Sequence, residues 1–241
     1  MSTNSYLHLG SVDVLVVRKP IANLHLSVLP PSGRVRVTSP EHMKDDAIRT
    51  LISTRLPWIK RQQIKFTGQD RQTKRKYVSG ESHYFFGKRY RLEVAYKEVK
   101  PQVSIKGKNK ILLHIRPRIT AQKRQQVLSG WYRSELQLVI KDLITKWEKK
   151  LKVKTNYWAI KKMKTRWGTC NHKRGRILIN LELAKKPLPC VEYVVVHELI
   201  HLIEKKHSEK FVSIMTKSLP KWKSLKDELN RFILSHEEWL L

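Results

Sequence analysis

The stretch VVVHELIHLIEKKHSEKF, residues 194–211, places histidines and glutamates within a hydrophobic run. Such groups are costly to bury unless something holds them. On a helix, His197 and His201 lie on one face within reach of a single ion, whereas Glu198 is rotated about a third of a turn away and can reach a water bound to that ion. This is the pattern H-E-x-x-H, with two imidazole ligands and a carboxylate general base. The competing interpretation is a pair of hydrogen-bonded core histidines.

A catalytic zinc site needs a third protein ligand and one open position for water, and His207 is the candidate ligand. His207 follows His201 by six residues and would face away from it on an unbroken helix. The helix is therefore expected to end near Glu204, and Ser208 suits the N-cap of the next helix. Glu204 is the alternative third ligand, or it orients a ligand ring. The alternative for His207 is a surface histidine in a turn.

The composition is strongly basic: 241 residues carry 50 Lys+Arg against 20 Asp+Glu, a net charge of +30. This excess predicts polyanionic partners, with nucleic acid first and an anionic membrane surface second; the alternative is a merely basic surface. Two cysteines argue against a disulfide framework. A secretory signal pattern and an apolar stretch of roughly 18 residues are both missing, so we expect a soluble, cytoplasmic protein without membrane insertion.

Short strand patterns dominate the first half of the chain, and helices dominate the rest. The strands predicted first, in a meander or hairpins, are residues 12–18, 24–29 and 34–39. A helix follows from residue 40, which Pro57 breaks or kinks, and then two hairpins turn near Gly87 and Gly107. Residues 119–151 predict a long helix, after which two strands precede the histidine-bearing helix. No internal repeat is evident, and a boundary is predicted near residue 117.

Several segments carry a resemblance to a known family. They are MKTRWGTC (163–170), ILINLEL (177–183), VEYVVVHELIHL (191–202), HSEKF (207–211) and LPKWK (219–223), with looser likeness in LPWIKRQ (56–62) and FFGKRYRLEV (85–94). The chain resembles the YgjP-like family of predicted zinc metallopeptidases and, more distantly, the SprT/Spartan proteases, all within the zincins. The resemblance implies one zinc ion held by His197, His201 and His207, with Glu198 as catalyst. The metzincins share the histidine spacing, but Glu204 stands where they have glycine.

These observations predict an α+β fold, with a strand-rich N-terminal region containing a helix (residues 1–117) and a zincin-like metallopeptidase domain (residues 118–241). The predicted function is a zinc-dependent metallopeptidase that cuts proteins or peptides with Glu198 as general base, with nucleic-acid-associated proteins as candidate substrates. One alternative is a DNA- or RNA-binding protein with a structural zinc and no hydrolase activity, which a closed fourth coordination position would favour. Another is a hydrolase of a non-peptide amide.

Further candidate residues lie outside the motif. Trp167 and Asn180 are candidates for substrate binding, against the alternative that they are packing or turn residues. The strand predicted at residues 176–183 is either an edge strand that pairs with an extended peptide or an ordinary buried strand. Cys170 and His172 form only a weak signal for a second metal site.

Two basic segments, residues 58–77 and 146–167, interleave cations with aromatic residues. This pattern suits a groove for single-stranded nucleic acid, and the alternative is a solvated helix face over core tryptophans. The candidate nucleic-acid-binding residues are Lys60, Arg61, Lys74, Arg75, Lys76, Lys161, Lys162 and Lys164.

Overall fold

A computed structural model describes residues 4–29, 32–67 and 75–231 of the chain. These residues form two compact units: an N-terminal unit, which contains the first two ranges, and a C-terminal unit, which contains the third. None of the helices in these ranges combines the length and the apolar composition of a membrane-spanning segment.

The division between the units differs from the boundary predicted near residue 117. The strands before residue 117 belong to the C-terminal unit because they share its core. Leu92 and Leu113 of those strands lie in one buried cluster with Leu136 and Ile140 of the following long helix. A helix and a sheet that bury one common apolar core form a single compact unit.

The N-terminal unit consists of a four-stranded sheet and one helix. Its elements are β1 (Asn4–Leu9), β2 (Val12–Lys19), β3 (His25–Leu29), β4 (Arg34–Pro40) and α1 (Asp45–Thr67). The strand order is β1-β2-β4-β3, with β2 parallel to β4. A meander or hairpins were predicted: consecutive strands do pair as hairpins, but the two hairpins join through the parallel pair of β2 and β4 and do not form a meander. The strands β2 and β4 lie at the centre, and their alternating valines are buried. The helix α1 continues through Pro57 without the break that was one of the two predicted effects of this residue.

The C-terminal unit begins with a second four-stranded sheet and a long helix. These elements are β5 (Ser82–Phe85), β6 (Lys88–Tyr96), β7 (Gln102–Lys106), β8 (Lys110–Ile115) and α2 (Ala121–Leu151). The helix α2 starts at the N-cap Thr120, whose side chain accepts a hydrogen bond from the main-chain N–H of Lys123. Its buried stripe recurs every three or four residues and faces the core, as the sequence pattern predicts.

A three-stranded sheet and three helices complete the C-terminal unit. They are β9 (Tyr157–Lys161), β10 (Gly168–Asn171), β11 (Arg176–Asn180), α3 (Leu188–Ile200), α4 (Glu209–Ser218) and α5 (Trp222–Arg231). The sheet order is β10-β11-β9. The helix α3 is hydrophobic on nearly every side, and it packs against α2, α4, α5 and β10. A helix with this composition is stable only in a core, and this position brings the histidine motif to the centre of the unit.

The same motif of four strands and a helix occurs in both units. Both four-stranded sheets join their two central strands in parallel and pair the outer strands antiparallel, and the connections run in the same order. The paired core positions correspond as well: Val14 faces Val35 in one sheet, and Leu92 faces Ile111 in the other. The repeat is not evident in the sequence because the corresponding positions share apolar character rather than residue identity.

Candidate metal centre

The three histidines predicted as ligands converge on one point. His197 lies in the last turn of α3, His201 directly after it, and His207 in the loop before α4. The Nε2 atom of His197 lies 3.2 Å from Nε2 of His201 and 3.1 Å from Nε2 of His207. Tetrahedral coordination with metal–nitrogen bonds of about 2.0–2.1 Å requires nitrogen separations of about 3.3 Å. Within the described ranges, these three residues form the group that could hold a metal ion.

The end of α3 allows His207 to join the other two rings. After Ile200 the α-helix gives way to a turn, in which Ile203 donates its main-chain N–H to the carbonyl of Ile200, three residues earlier, at 2.9 Å. The next helix begins where predicted, because the Ser208 side chain accepts a hydrogen bond from the main-chain N–H of Phe211. The break that the ligand geometry requires therefore lies between the second and third histidines.

The tautomer of His201 follows from its hydrogen bond. Its Nδ1 lies 3.1 Å from the main-chain carbonyl oxygen of Glu204. A carbonyl oxygen can only accept, so Nδ1 carries the proton and Nε2 keeps its lone pair toward the other rings. Glu204 thus orients the ring of His201 through its main chain. Its carboxylate accepts a hydrogen bond from the main-chain N–H of Lys206 at 3.1 Å and is not among the grouped donors.

His197 occupies the most enclosed position of the three. Burial, together with the neighbouring rings of His201 and His207, lowers the pKa of His197 to about 3. Burial also lowers the pKa of His201. A low pKa keeps the imidazole neutral at neutral pH, which is the form that binds metals.

Phe211 supports all three imidazoles and was not singled out from the sequence as a site residue. Its ring centroid lies 5.0 Å from that of His197 and 4.8 Å from those of His201 and His207. The side chain is 2% exposed. A buried aromatic ring in contact with three others restricts their rotation, so Phe211 positions the donor atoms. Its place in the first turn of α4, four residues after His207, is the signal available in the sequence.

Glu198 is buried between α3 and β10, with 6% exposure. Burial raises the pKa of Glu198 to about 8, and the charge of Arg166 acts in the opposite direction. The main chain of Gly168 packs directly against this carboxylate: a Cβ atom at that position would lie 2.5 Å from Oε1 of Glu198. Glycine is therefore required here for close approach, a role that the sequence analysis did not assign to it.

The segment that carries Arg166 and Gly168 is held by Asn180, which is completely buried. Its Nδ2 donates to the carbonyls of Met163 at 2.9 Å and Arg166 at 2.7 Å. Its Oδ1 accepts from the main-chain N–H groups of Met163 at 3.3 Å and Glu182 at 3.2 Å. Because these bonds occupy the amide, the structure places Asn180 as a turn residue rather than as the substrate contact that was one prediction.

The structure also gives the positions of Trp167, a predicted substrate-binding residue, and of β11, the strand predicted either at an edge or within the sheet. Trp167 is half-buried against the core, and Nζ of Lys186 lies 5.6 Å from its ring. The strand β11 is central in its sheet, with Ile177 and Ile179 fully buried, so of the two alternatives the ordinary buried strand is correct. The edge beside Glu198 is β10, because its first residue contacts that carboxylate.

The predicted nucleic-acid-binding residues are dispersed over several elements. Lys60 and Arg61 are exposed on α1 of the N-terminal unit. Four other members of the predicted set are exposed in the C-terminal unit, namely Lys76, Lys161, Lys162 and Lys164. Arg75 is half-buried and donates to the carbonyl of Ser82. Lys74 lies outside the described residues.

Two of the aromatic residues in these basic segments belong to the core. Trp147 is 4% exposed and donates its Nε1–H to Glu192 at 2.8 Å, and Tyr77 is 7% exposed. Neither ring can serve as a stacking platform for a base. Both are core residues, in line with the alternative of a solvated surface over buried aromatic rings. Tyr157, at 55% exposure, does reach the surface.

Comparison with known proteins identifies the class to which this chain belongs. The family model for the YgjP-like metallopeptidase domain matches residues 23–232, and the chain therefore belongs to the YgjP-like metallopeptidase family. Membership implies a metal-dependent hydrolase with a divalent metal and a protein or peptide substrate. The mixed α/β fold agrees with the prediction.

The similarity of this chain to curated proteins and to solved structures is low. No curated protein matches this chain. Among solved structures, the chain is similar to the crystal structure of the metallopeptidase zymogen of Pyrococcus abyssi abylysin, at 22% sequence identity. The similarity covers 37% of this chain and 90% of that one, with a TM-score of 0.35.

Proposed function

We propose that the chain is a zinc-dependent peptidase in which His197, His201 and His207 hold the metal and Glu198 is the general base. The convergence of three imidazole nitrogens, with the buried carboxylate of Glu198 directly after His197 in the chain, carries this proposal. Three protein donors leave one position of a tetrahedral ion for water, which is the arrangement of catalytic zinc sites. A structural zinc would need a fourth protein donor, and the described residues place none in this group.

The chain's own residues define the proton transfers. When bound, zinc supplies a Lewis acid that acidifies water and polarises the scissile carbonyl. Glu198 accepts the proton of the attacking water at its carboxylate and delivers it to the leaving nitrogen. Burial makes the Glu198 carboxylate a stronger base than an exposed glutamate, which favours removal of a proton from water.

The peptide substrate is proposed to lie along β10. This strand is an edge of its sheet and begins at Gly168, in contact with Glu198. A free strand edge can pair with an extended peptide through main-chain hydrogen bonds, which positions a scissile bond without selecting particular side chains. The net charge of +30 makes proteins bound to nucleic acid the substrates to test first.

The proposal is tested with a peptide library whose cleavage is read by mass spectrometry, together with metal analysis of the same protein. The wild-type chain should bind one zinc ion and cut peptides, and His207→Ala should lose most of its zinc affinity. Glu198→Gln should retain zinc and lose about 10²–10⁴-fold in turnover.

Glu192→Gln is the matched control, because it removes the same charge from the same helix where the carboxylate contacts Lys146 and Trp147 instead. The Glu192→Gln variant should cleave peptides at the wild-type rate. Undiminished turnover by Glu198→Gln would exclude the general-base role. Small amides cleaved in preference to every peptide would favour the alternative of a non-peptide amidase.

A further inference from the structure

Within the described part of the N-terminal unit, α1 covers one face of the sheet and leaves the opposite face open. The helix α1 packs on the face that carries the buried valines, such as Val14 and Val35. Side chains alternate along a strand, so the intervening residues form the opposite, outer face. One row of the outer face is Tyr6, Leu15, Arg36 and Ser27, and the next row is Asn4, Val17, Thr38 and His25.

The outer face combines an exposed aromatic ring with cations. Tyr6 is 66% exposed, and Arg34 and Arg36 are both exposed on β4. Within the ranges that the structure describes, neither arginine forms an ion pair. The carboxylate of Asp13 on β2 lies 2.6 Å from Nδ1 of His8, so this acidic group already has a partner. The face is therefore positively charged and carries one ring available for stacking.

The second copy of the motif carries an acidic residue at a position on the corresponding face. In the C-terminal unit, Glu93 stands where Leu15 stands in the N-terminal sheet, beside Leu112. Its carboxylate lies 3.0 Å from Nζ of Lys110 and 3.6 Å from Nζ of Lys106. Lys106 and Lys110 of that copy are thus paired with Glu93, whereas Arg36 of the N-terminal sheet stands in the row of Tyr6 and has no ion pair among the described residues.

From this placement we infer that the outer face of the N-terminal sheet binds single-stranded nucleic acid. A base stacks on Tyr6, the guanidinium groups of Arg34 and Arg36 contact phosphates, and Ser27 and Thr38 offer hydroxyls to base edges. Aromatic rings on an open four-stranded sheet, next to cations, hold splayed-out single strands in this way. The site lies outside the metal centre and does not depend on the proposed peptidase activity.

The geometry selects a single strand over a duplex. Four strands spaced about 4.8 Å apart span about 14 Å, and the major groove of B-DNA is about 12 Å wide. A four-stranded face therefore does not enter the groove, whereas an unpaired strand can lie flat across it. A duplex would meet only the arginines, through its phosphates, and would leave Tyr6 without a base to stack on.

The test uses the full chain and fluorescence anisotropy of a labelled oligothymidylate of about 15 nucleotides, with a duplex of equal length in parallel. Tyr6→Ala should weaken single-strand binding about tenfold. Arg36→Gln should lower the slope of log affinity against log salt by about 0.7. The matched control is Arg55→Gln, because Arg55 is exposed on α1, on the other side of the sheet. It should change the affinity less than twofold.

Three outcomes would overturn the inference: no single-strand binding at low salt, unchanged binding by Tyr6→Ala, or an equal loss from Arg36→Gln and Arg55→Gln. The last result would show diffuse charge without a site. His197→Ala should bind the oligonucleotide as the wild type does, so a failure of the peptidase proposal remains distinguishable from a failure here. Tyr6 is exposed, and thermal unfolding of its variant should match that of the wild type.

Discussion

Replacing Gly168 by alanine tests whether the main chain of β10 positions the Glu198 carboxylate. The added Cβ would lie 2.5 Å from Oε1 and 2.7 Å from Cγ of Glu198, whereas ordinary contacts begin at 3.4 Å. The carboxylate must therefore move by about 1 Å, and a displacement of that size costs roughly 10²-fold in rate, or about 2.7 kcal/mol of transition-state stabilisation. Gly168 does not have a left-handed backbone, so alanine adds no backbone strain.

The assay is steady-state cleavage of a peptide selected from the library, with zinc affinity measured by competition against a chromophoric chelator. Gly168→Ala should lower kcat about 10²-fold and leave zinc affinity unchanged, because the histidines do not contact Gly168. Gly130→Ala is the control: Gly130 lies in α2 with open space around it, and alanine there should stabilise the helix by about 0.5–1 kcal/mol without changing kcat.

A wild-type kcat for Gly168→Ala would refute the reasoning, because it would show that the position of the carboxylate is not set by this contact. A large loss of thermal stability would show that β10 had moved instead of Glu198. The melting temperature therefore has to be measured beside the rate.

Other residues give separate predictions. Phe211→Leu keeps an apolar side chain but removes the ring that contacts the three histidines, and zinc affinity in the competition assay should fall about tenfold. Asn180→Ala leaves two part-buried carbonyls without their donor, so urea denaturation should show a loss of about 2–4 kcal/mol; an unchanged midpoint would contradict the bonding described. Burial, followed by the charge of Arg75, lowers the pKa of His83 from 6.5 to about 4. As the pH falls, the imidazole is therefore protonated in the unfolded chain before it is protonated in the folded one. The free energy of unfolding should decrease as the pH drops below 6.5, by about 2 kcal/mol at pH 5. His83→Gln should reduce this loss in urea denaturation at pH 7 and pH 5, and an identical loss in both proteins would exclude His83 as its source.

The histidine-bearing helix could be predicted because its geometry is local. Residues four apart on a helix lie on one face in any fold, so His197 and His201 had to be neighbours once the segment was helical. The break before His207 was predictable for the same reason, since Ser208 is a local N-cap signal. The hydrophobic surroundings of α3 indicated its burial directly.

The supports of the site could not be predicted in this way. Gly168 and Glu198 are thirty residues apart, and nothing in either segment indicates that they touch. The alternation in β11 did not reveal whether the strand was central or at an edge, because that depends on which strands pair with it. The unit boundary was placed too late because the strands before it share a core with a helix that follows them.

The amino-acid sequence alone therefore determined the helix α3, the two neighbouring histidines at its C-terminal end and the glutamate that follows the first of them, because helical periodicity and capping act over a few residues. Only the tertiary structure decided that Gly168 packs on Glu198, that Phe211 supports all three imidazoles, and that a sheet in each unit repeats one motif. These contacts join segments distant along the chain, and long-range packing, rather than any local preference, brings them together.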